Sequence, residues 1–236
     1  MDQEDAIGAS IAERLERVRA ELASACRAAG RGKDEVQLLA VSKTRPPEDV
    51  VSAFQAGQSA FGENQLQDAL PKVEHMRGHQ VEWHFIGPIQ SNKTRPIAAD
   101  FDWVHSIDRV KIAERLSNQR AEDLPPLQVC LQFNVSGEAS KSGFEHGELH
   151  AAAEAVSALP RVKLRGLMAI PAPASELASQ RAAFAEVREA YDALNSAGFE
   201  LDTLSMGMTN DLEAAVLEGA TIVRIGTAVF GPRAPR

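Results

Sequence analysis

Lys43 has the most chemistry to offer. It closes an apolar run at 36–43 (VQLLAVSK) and shares parity with Leu39 and Val41, so the three side chains point the same way along a strand. An ammonium carried on that face into an apolar pocket loses part of its preference for the charged form. It then becomes a nucleophilic amine suited to Schiff-base formation. A lysine that simply ends a strand and reaches solvent fits the position as well. Near the other end of the chain stand Ser205, Met206 and Gly207, followed by Thr209, Asn210 and Asp211, with Asn210 and Glu213 at capping-box spacing. Gly226 and Thr227 interrupt a second apolar run. Glycines admit close backbone approach, and free N–H groups, hydroxyls and a helix start together bind phosphate. Taken singly these residues read as turn glycines and N-capping hydroxyls. Arg224, two residues before Gly226 and on its parity, is a lasting positive charge that can donate to a ligand or hold a structural ion pair.

Other candidates are weaker. His75 and His79 are four apart, but Gly78 breaks the helix and no third metal ligand is near. His84 reads as a satisfied core or rim histidine and Cys130 as a small buried hydrophobe. The Gly/Ser-rich stretch 136–147, with Lys141 at its tip, is a mobile lid or a solvated loop. Nucleophile-elbow, Walker and dinucleotide fingerprints are missing.

These residues need elements to carry them. From about residue 5 to 29, Ile7, Ile11, Leu15, Val18, Leu22 and Cys26 step by three or four, the stripe of an amphipathic helix stopped at Gly30. Strand-like runs then alternate with helical stretches: 36–43, 59–64, 82–87, 101–107, 127–135, 162–170, 201–207 and 222–231. Both parities of these runs are apolar, as in strands covered on both faces. Eight such units in about 200 residues have the size of a (β/α)8 TIM barrel, with a doubly wound open sheet as the rival. Polar residues and glycines gather at the carboxyl ends of the runs, where parallel β/α folds keep their chemistry. In a closed barrel the first and last strands are neighbours, which brings Lys43 beside Gly226 and favours the phosphate-binding reading. We expect a single domain over residues 1–236, with residues 1–32 an added N-terminal helix packed on the barrel.

Composition narrows the function. The chain has 236 residues and 25 Lys+Arg against 33 Asp+Glu, a net charge of −8. An acidic chain repels nucleic acid. At 44% hydrophobic the chain can form a core, which excludes disorder. No apolar run approaches the roughly 18 residues that span a bilayer, and MDQEDAIGAS has no signal-peptide h-region. Two scattered cysteines, Cys26 and Cys130, build neither a disulfide framework nor a zinc site. The expectation is a cytoplasmic protein that binds no metal, and with 12 large aromatics (Trp 2, Tyr 1, Phe 9) a monomer.

The segments AVSKTRP (40–46), FGENQLQ (61–67), WHFIGPIQSNK (83–93), NVSGEASKSG (134–143), RGLMAI (165–170), SMGMTND (205–211) and VRIGTAVFG (223–231) strongly resemble the pyridoxal phosphate homeostasis protein family. That family is similar in fold to the barrel domain of alanine racemase. The resemblance implies that Lys43 forms the Schiff base with pyridoxal 5'-phosphate. It implies phosphate contacts from Ser205, Gly207, Gly226 and Thr227, with Met206 among the cofactor-binding residues. It also implies Arg224 facing the pyridine nitrogen and Asn64 near the ring. Gln65 and Thr209 depart from the family's usual tyrosine and serine, at the rim. The resemblance further implies a protein that buffers or delivers the cofactor to dependent apoenzymes. An amino-acid racemase or related Schiff-base enzyme is the alternative. Against it, Tyr191 is the only tyrosine, and a helix puts it on the outer ring. The expected single barrel also leaves no room for the second domain that helps build a racemase site. An arginine on the pyridine nitrogen makes the ring a poor electron sink, and we expect no catalytic residue.

Overall fold

The computed structural model describes residues 9–136 and 142–232. The first helix, α1 (Ile11–Ala28), starts for a local reason. The Ser10 hydroxyl accepts from the Glu13 N–H while the Glu13 carboxylate accepts from the Ser10 N–H, a reciprocal cap. Its buried stripe is Leu15, Val18, Leu22, Ala25 and Cys26, which lies against the outer helices rather than the strands. Residues 1–8, where the sequence pattern already suggested helix, lie outside the described residues.

Eight parallel strands follow: β1 (Gln37–Val41), β2 (Ala60–Glu63), β3 (Glu82–Phe85), β4 (Trp103–Ile107), β5 (Leu127–Gln132), β6 (Val162–Met168), β7 (Thr203–Ser205) and β8 (Ile222–Ile225). They close in sequence order, and β1 pairs with β8, Leu39 opposite Arg224. That last pairing decides for the barrel over the open sheet. Between the strands run α2 (Pro47–Gln55), α3 (Leu66–His75), α4 (Thr94–Asp100), α5 (Val110–Gln119), α6 (Leu149–Ser157), α7 (Leu177–Ser196) and α8 (Leu212–Leu217), with α9 (Thr227–Phe230) after β8. Helix α1 packs on α2, α8 and α9.

Three local expectations need correction. The run 222–231 is not one strand: β8 stops at Ile225, and Gly226 O then accepts from Val229 N and Phe230 N to start a helical turn. Lys43 does not close β1. The strand ends at Val41, and residues 42–45 form a turn with Arg45 N donating to Ser42 O. Asn210 and Glu213 form no capping box, because α8 begins at Leu212 and the preceding Asp211 carboxylate accepts from Met208 N.

Most of the apolar mass lies between the strands and the helices, in one cluster that includes Phe61, Phe85, Ile107, Leu131 and Phe184. Among the described residues two small apolar groups lie apart from it on the inner face of the strands, Leu39 with Ala60 and Ile222, and Trp103 with Cys130 and Met168. Cys26 and Cys130 are free and buried, and burial pushes the Cys130 thiol up to about 12. No described helix is long and apolar enough to cross a membrane.

Candidate functional site

Strands β7, β8 and β1 supply most of the residues singled out by the sequence. Arg224 is buried inside the ring near its carboxyl end, where one Nη donates to Ser205 O and, at 2.8 Å, to Ser205 Oγ. The other Nη donates to Ala169 O at 2.9 Å. Three of five N–H groups are thus spent on fixing the guanidinium, and two remain to meet a ligand. Burial pushes its pKa down to about 10, so it stays protonated near neutrality. Its backbone N–H donates to Gly207 O at 2.9 Å, which joins the two glycine-bearing strand ends.

Gly207 has φ +96°, and a Cβ there would stand 2.5 Å from Ala215 Cβ. Both the left-handed backbone and the contact with α8 require glycine. Gly207→Ala is expected to lower stability by about 1–3 kcal/mol, read as a shifted urea midpoint at unchanged slope. Gly226 sits against Val41, where a Cβ would be 3.2 Å from the carbonyl oxygen. The exposed Thr227 follows it at the start of α9.

Lys43 lies half-buried in the turn after β1. The next residue, Thr44, holds φ +64°, a left-handed conformation that costs a β-branched residue about 1–3 kcal/mol. Neighbouring bonds enforce it. Arg45 donates through Nη2 to Gly231 O and Pro232 O, tying the turn to the end of α9. Behind the turn, Lys72 Nζ donates to Ser42 O and to Glu63 Oε1, both at 2.7 Å, and Ser42 Oγ donates to the same carboxylate oxygen at 2.6 Å. Glu63 and Lys72 are both buried, and Glu63 Oε2 has no hydrogen-bond partner. Desolvation raises the Glu63 pKa, against the pull of Lys72. This pair was not singled out in the sequence, although a carboxylate that ends an apolar strand needs a nearby cation.

Asn64 follows β2 and lines a cavity with Pro88 and Lys93. Its backbone is pressed so closely by Gly87 that a Cβ on the glycine would lie 2.0 Å from Asn64 O. The Met206 side chain belongs to the main core outside the ring, which leaves only its backbone to face the site. Of the stretch 136–147, Lys141 lies outside the described residues. The base is pinned by Asn134 N donating to Phe144 O and Phe144 N to Gln132 O. Tyr191 on α7 donates its hydroxyl to Leu201 O at 2.6 Å, on the outer layer. His84 is buried and bonded, as its core reading expects, but its partner His105 carried no sequence signal beyond a strand position.

The site is thus a fixed, buried cation at the floor, two glycines at adjoining strand ends, and a half-buried amine on the neighbouring turn. It can hold an anionic group and an electrophilic carbon at once. Residues 14–234 match the model of the family described as alanine racemase, N-terminal domain. The pyridoxal phosphate homeostasis protein of Pseudomonas aeruginosa is 60% identical over 224 residues, covering 95% of this chain and 96% of that one. The protein of that name from Escherichia coli is 50% identical over 226 residues, covering 94% and 97%. The structure of PipY from Synechococcus elongatus with pyridoxal phosphate bound is 37% identical, with a TM-score of 0.82 and coverage of 94% and 100%.

Proposed function

The chain belongs to the family of pyridoxal phosphate homeostasis proteins, and from that premise we propose that it holds pyridoxal 5'-phosphate as a Schiff base on Lys43 and buffers or delivers it in the cytoplasm. The cofactor presents an aldehyde, a pyridine nitrogen and a phosphate, and when bound it supplies a covalent yet reversible link to an amine. The residues fit each part. Lys43 offers the amine. Gly207, Gly226, Thr227 and Ser205 would hold the phosphate, and Arg224 would offer an N–H to the lone pair of the ring nitrogen. Asn64, which lines the adjoining cavity, would lie near the ring. PipY, of similar length and fold, carries the same cofactor.

The observation that favours a carrier over an enzyme is the setting of Arg224. It donates to neutral acceptors, Ser205 and Ala169, and a guanidinium can only donate, so it does not keep the pyridine nitrogen protonated to draw electrons into the ring. A racemase also needs a second acid/base opposite the lysine, and the single tyrosine is committed to Leu201 O on the outer layer. We read the protein as a single-domain monomer whose partners are apoenzymes in need of the cofactor.

Borohydride reduction of the loaded protein followed by peptide mass spectrometry tests this. The expected product is a pyridoxyl group on Lys43. An unmodified Lys43 in a protein that retains cofactor would remove the Schiff base from the reading. Turnover of any amino acid at about 10 s⁻¹, an ordinary enzyme rate, would replace carrier by catalyst.

A further inference from the structure

A column of hydrogen bonds runs along the inside of the barrel from Arg224 to the opposite mouth. Arg224 Nη1 meets Ser205 Oγ at 2.8 Å, and Ser205 Oγ meets His105 Nδ1 at 2.7 Å. His105 Nε2 meets His84 Nδ1 at 2.8 Å, and His84 Nε2 meets Glu82 Oε1 at 2.7 Å. Ser205, His84 and His105 are fully buried, whereas the Glu82 side chain is 40% exposed at the amino end of β3. There it lines an open cleft of about 740 Å³ with Gln37, Asp102 and Arg165. The column thus reaches from the floor of the cofactor site to water on the far face.

One set of proton positions gives every member of this column a partner. Arg224 can only donate. Burial above all holds the His105 pKa well below its usual value, so this ring is neutral with one donor and one acceptor. Glu82 is ionised, its pKa held down to about 2 chiefly by the bond from His84. In this arrangement every bond points downward: Arg224 to Ser205, Ser205 to His105 Nδ1, His105 Nε2–H to His84 Nδ1, and His84 Nε2–H to Glu82.

A second arrangement also gives every member a partner. Glu82 carries a proton and donates to His84 Nε2, His84 Nδ1–H donates to His105 Nε2, and His105 Nδ1–H donates to Ser205 Oγ. Ser205 still accepts from Arg224, and its own hydroxyl now points to the site. Each ring trades its Nε2 proton for one on Nδ1, Ser205 keeps its proton, and the column gains one proton from water at Glu82. The His84 donor, the largest of the influences that hold the Glu82 pKa low, is absent from this second state while the bond from Gln37 Nε2 at 3.0 Å remains, so Glu82 binds its proton more readily there.

We propose that this column is a proton relay, in which a hydrogen-bond acceptor brought to Ser205 turns its hydroxyl upward and the column takes up one proton at Glu82. The proposal rests on the cofactor reading of the site and adds a way to regulate it: the grip on an acceptor-bearing ligand strengthens as pH falls. The other groups around the column do not break it. Arg165 is held by both oxygens of Asp202 and lies over Trp103, Asp102 accepts from Trp83 N, and Arg120 donates to the carbonyls of Ala98, Phe101 and Pro125. The Cys130 thiol, against Trp103 inside the ring, stays protonated.

Two measurements test it. Histidine side-chain ¹⁵N–¹H spectra of the ligand-free protein are expected to show both His84 and His105 protonated at Nε2, and Nδ1 protonation of either ring would overturn the resting arrangement. Calorimetric titration with pyridoxal phosphate in buffers of different ionisation enthalpy then counts protons. Glu82→Gln preserves the shape, and its amide can donate to His84 without a proton from water. Loading of the wild type is therefore expected to take up about one proton more than loading of Glu82→Gln, and equal counts would overturn the relay. A wild type that does not load at all would sink the cofactor reading instead, leaving the relay to the ligand-free spectra.

Discussion

Lys43→Ala is expected to yield a folded, colourless protein that no longer retains pyridoxal phosphate. The wild type should purify with the yellow absorbance of the bound cofactor, about one per chain, and the variant with less than about a tenth of that, because noncovalent contacts remain while the covalent link is gone. The fold should survive. Lys43 is half-buried in a turn, and the turn's backbone is anchored by Lys72 and Arg45. Its removal should therefore move stability by no more than about 1 kcal/mol. Absorbance of the purified variant and its thermal melt separate these two effects. A full complement of cofactor on Lys43→Ala would mean that another group holds it.

Lys72→Met should have the opposite profile, with a large loss of stability. It strands Glu63, which is buried and keeps only the Ser42 hydroxyl bond to Oε1. Breaking one partner of a buried pair costs about 3–5 kcal/mol, whereas removing both is often near neutral. Lys72→Met/Glu63→Leu should therefore recover most of the loss, and a double-mutant cycle by urea denaturation measures it. The pH dependence has a definite sign. Burial raises the Glu63 pKa above its unfolded value, so its favourable contribution is complete below the unfolded pKa and is lost as pH rises through the folded one. Without Lys72 that folded pKa moves higher still. The deficit of Lys72→Met should thus be smallest in acid and grow toward neutrality, and a deficit independent of pH would show that Glu63 is not the stranded charge.

The strand count, the barrel and the crowding of chemistry at one end were legible because they depend on period and on the asymmetry of strand ends. Apolar runs of both parities cannot hide, and neither can glycines placed where a backbone must pass close to another. What stayed illegible depends on pairing across distance. Lys72 sits in a helix where spacing gives no reason to bury a lysine, and only Glu63 across the packed layer explains it. His84 could be read as satisfied but not as joined to His105, because the bond links neighbouring strands whose register the sequence does not state. Strand limits were also read too long at β1 and β8. Ser42 and Gly226 continue the local pattern, and hydrogen bonds to Arg45 N and Val229 N end it. Met206 was grouped with the site by its neighbours, while its side chain turns outward by simple alternation from Ser205.

The division of apolar mass described for the fold bears on how such a protein can change over generations. The main apolar cluster lies outside the ring, and among the described residues the lumen holds two small apolar groups around a polar column. Apolar substitutions at Leu39 or Met168 in the lumen therefore touch a smaller cluster than those in the outer layer, provided the buried column keeps its partners. Such a scaffold separates robustness from innovation. Its staves can stay as they are while the lining is rewritten.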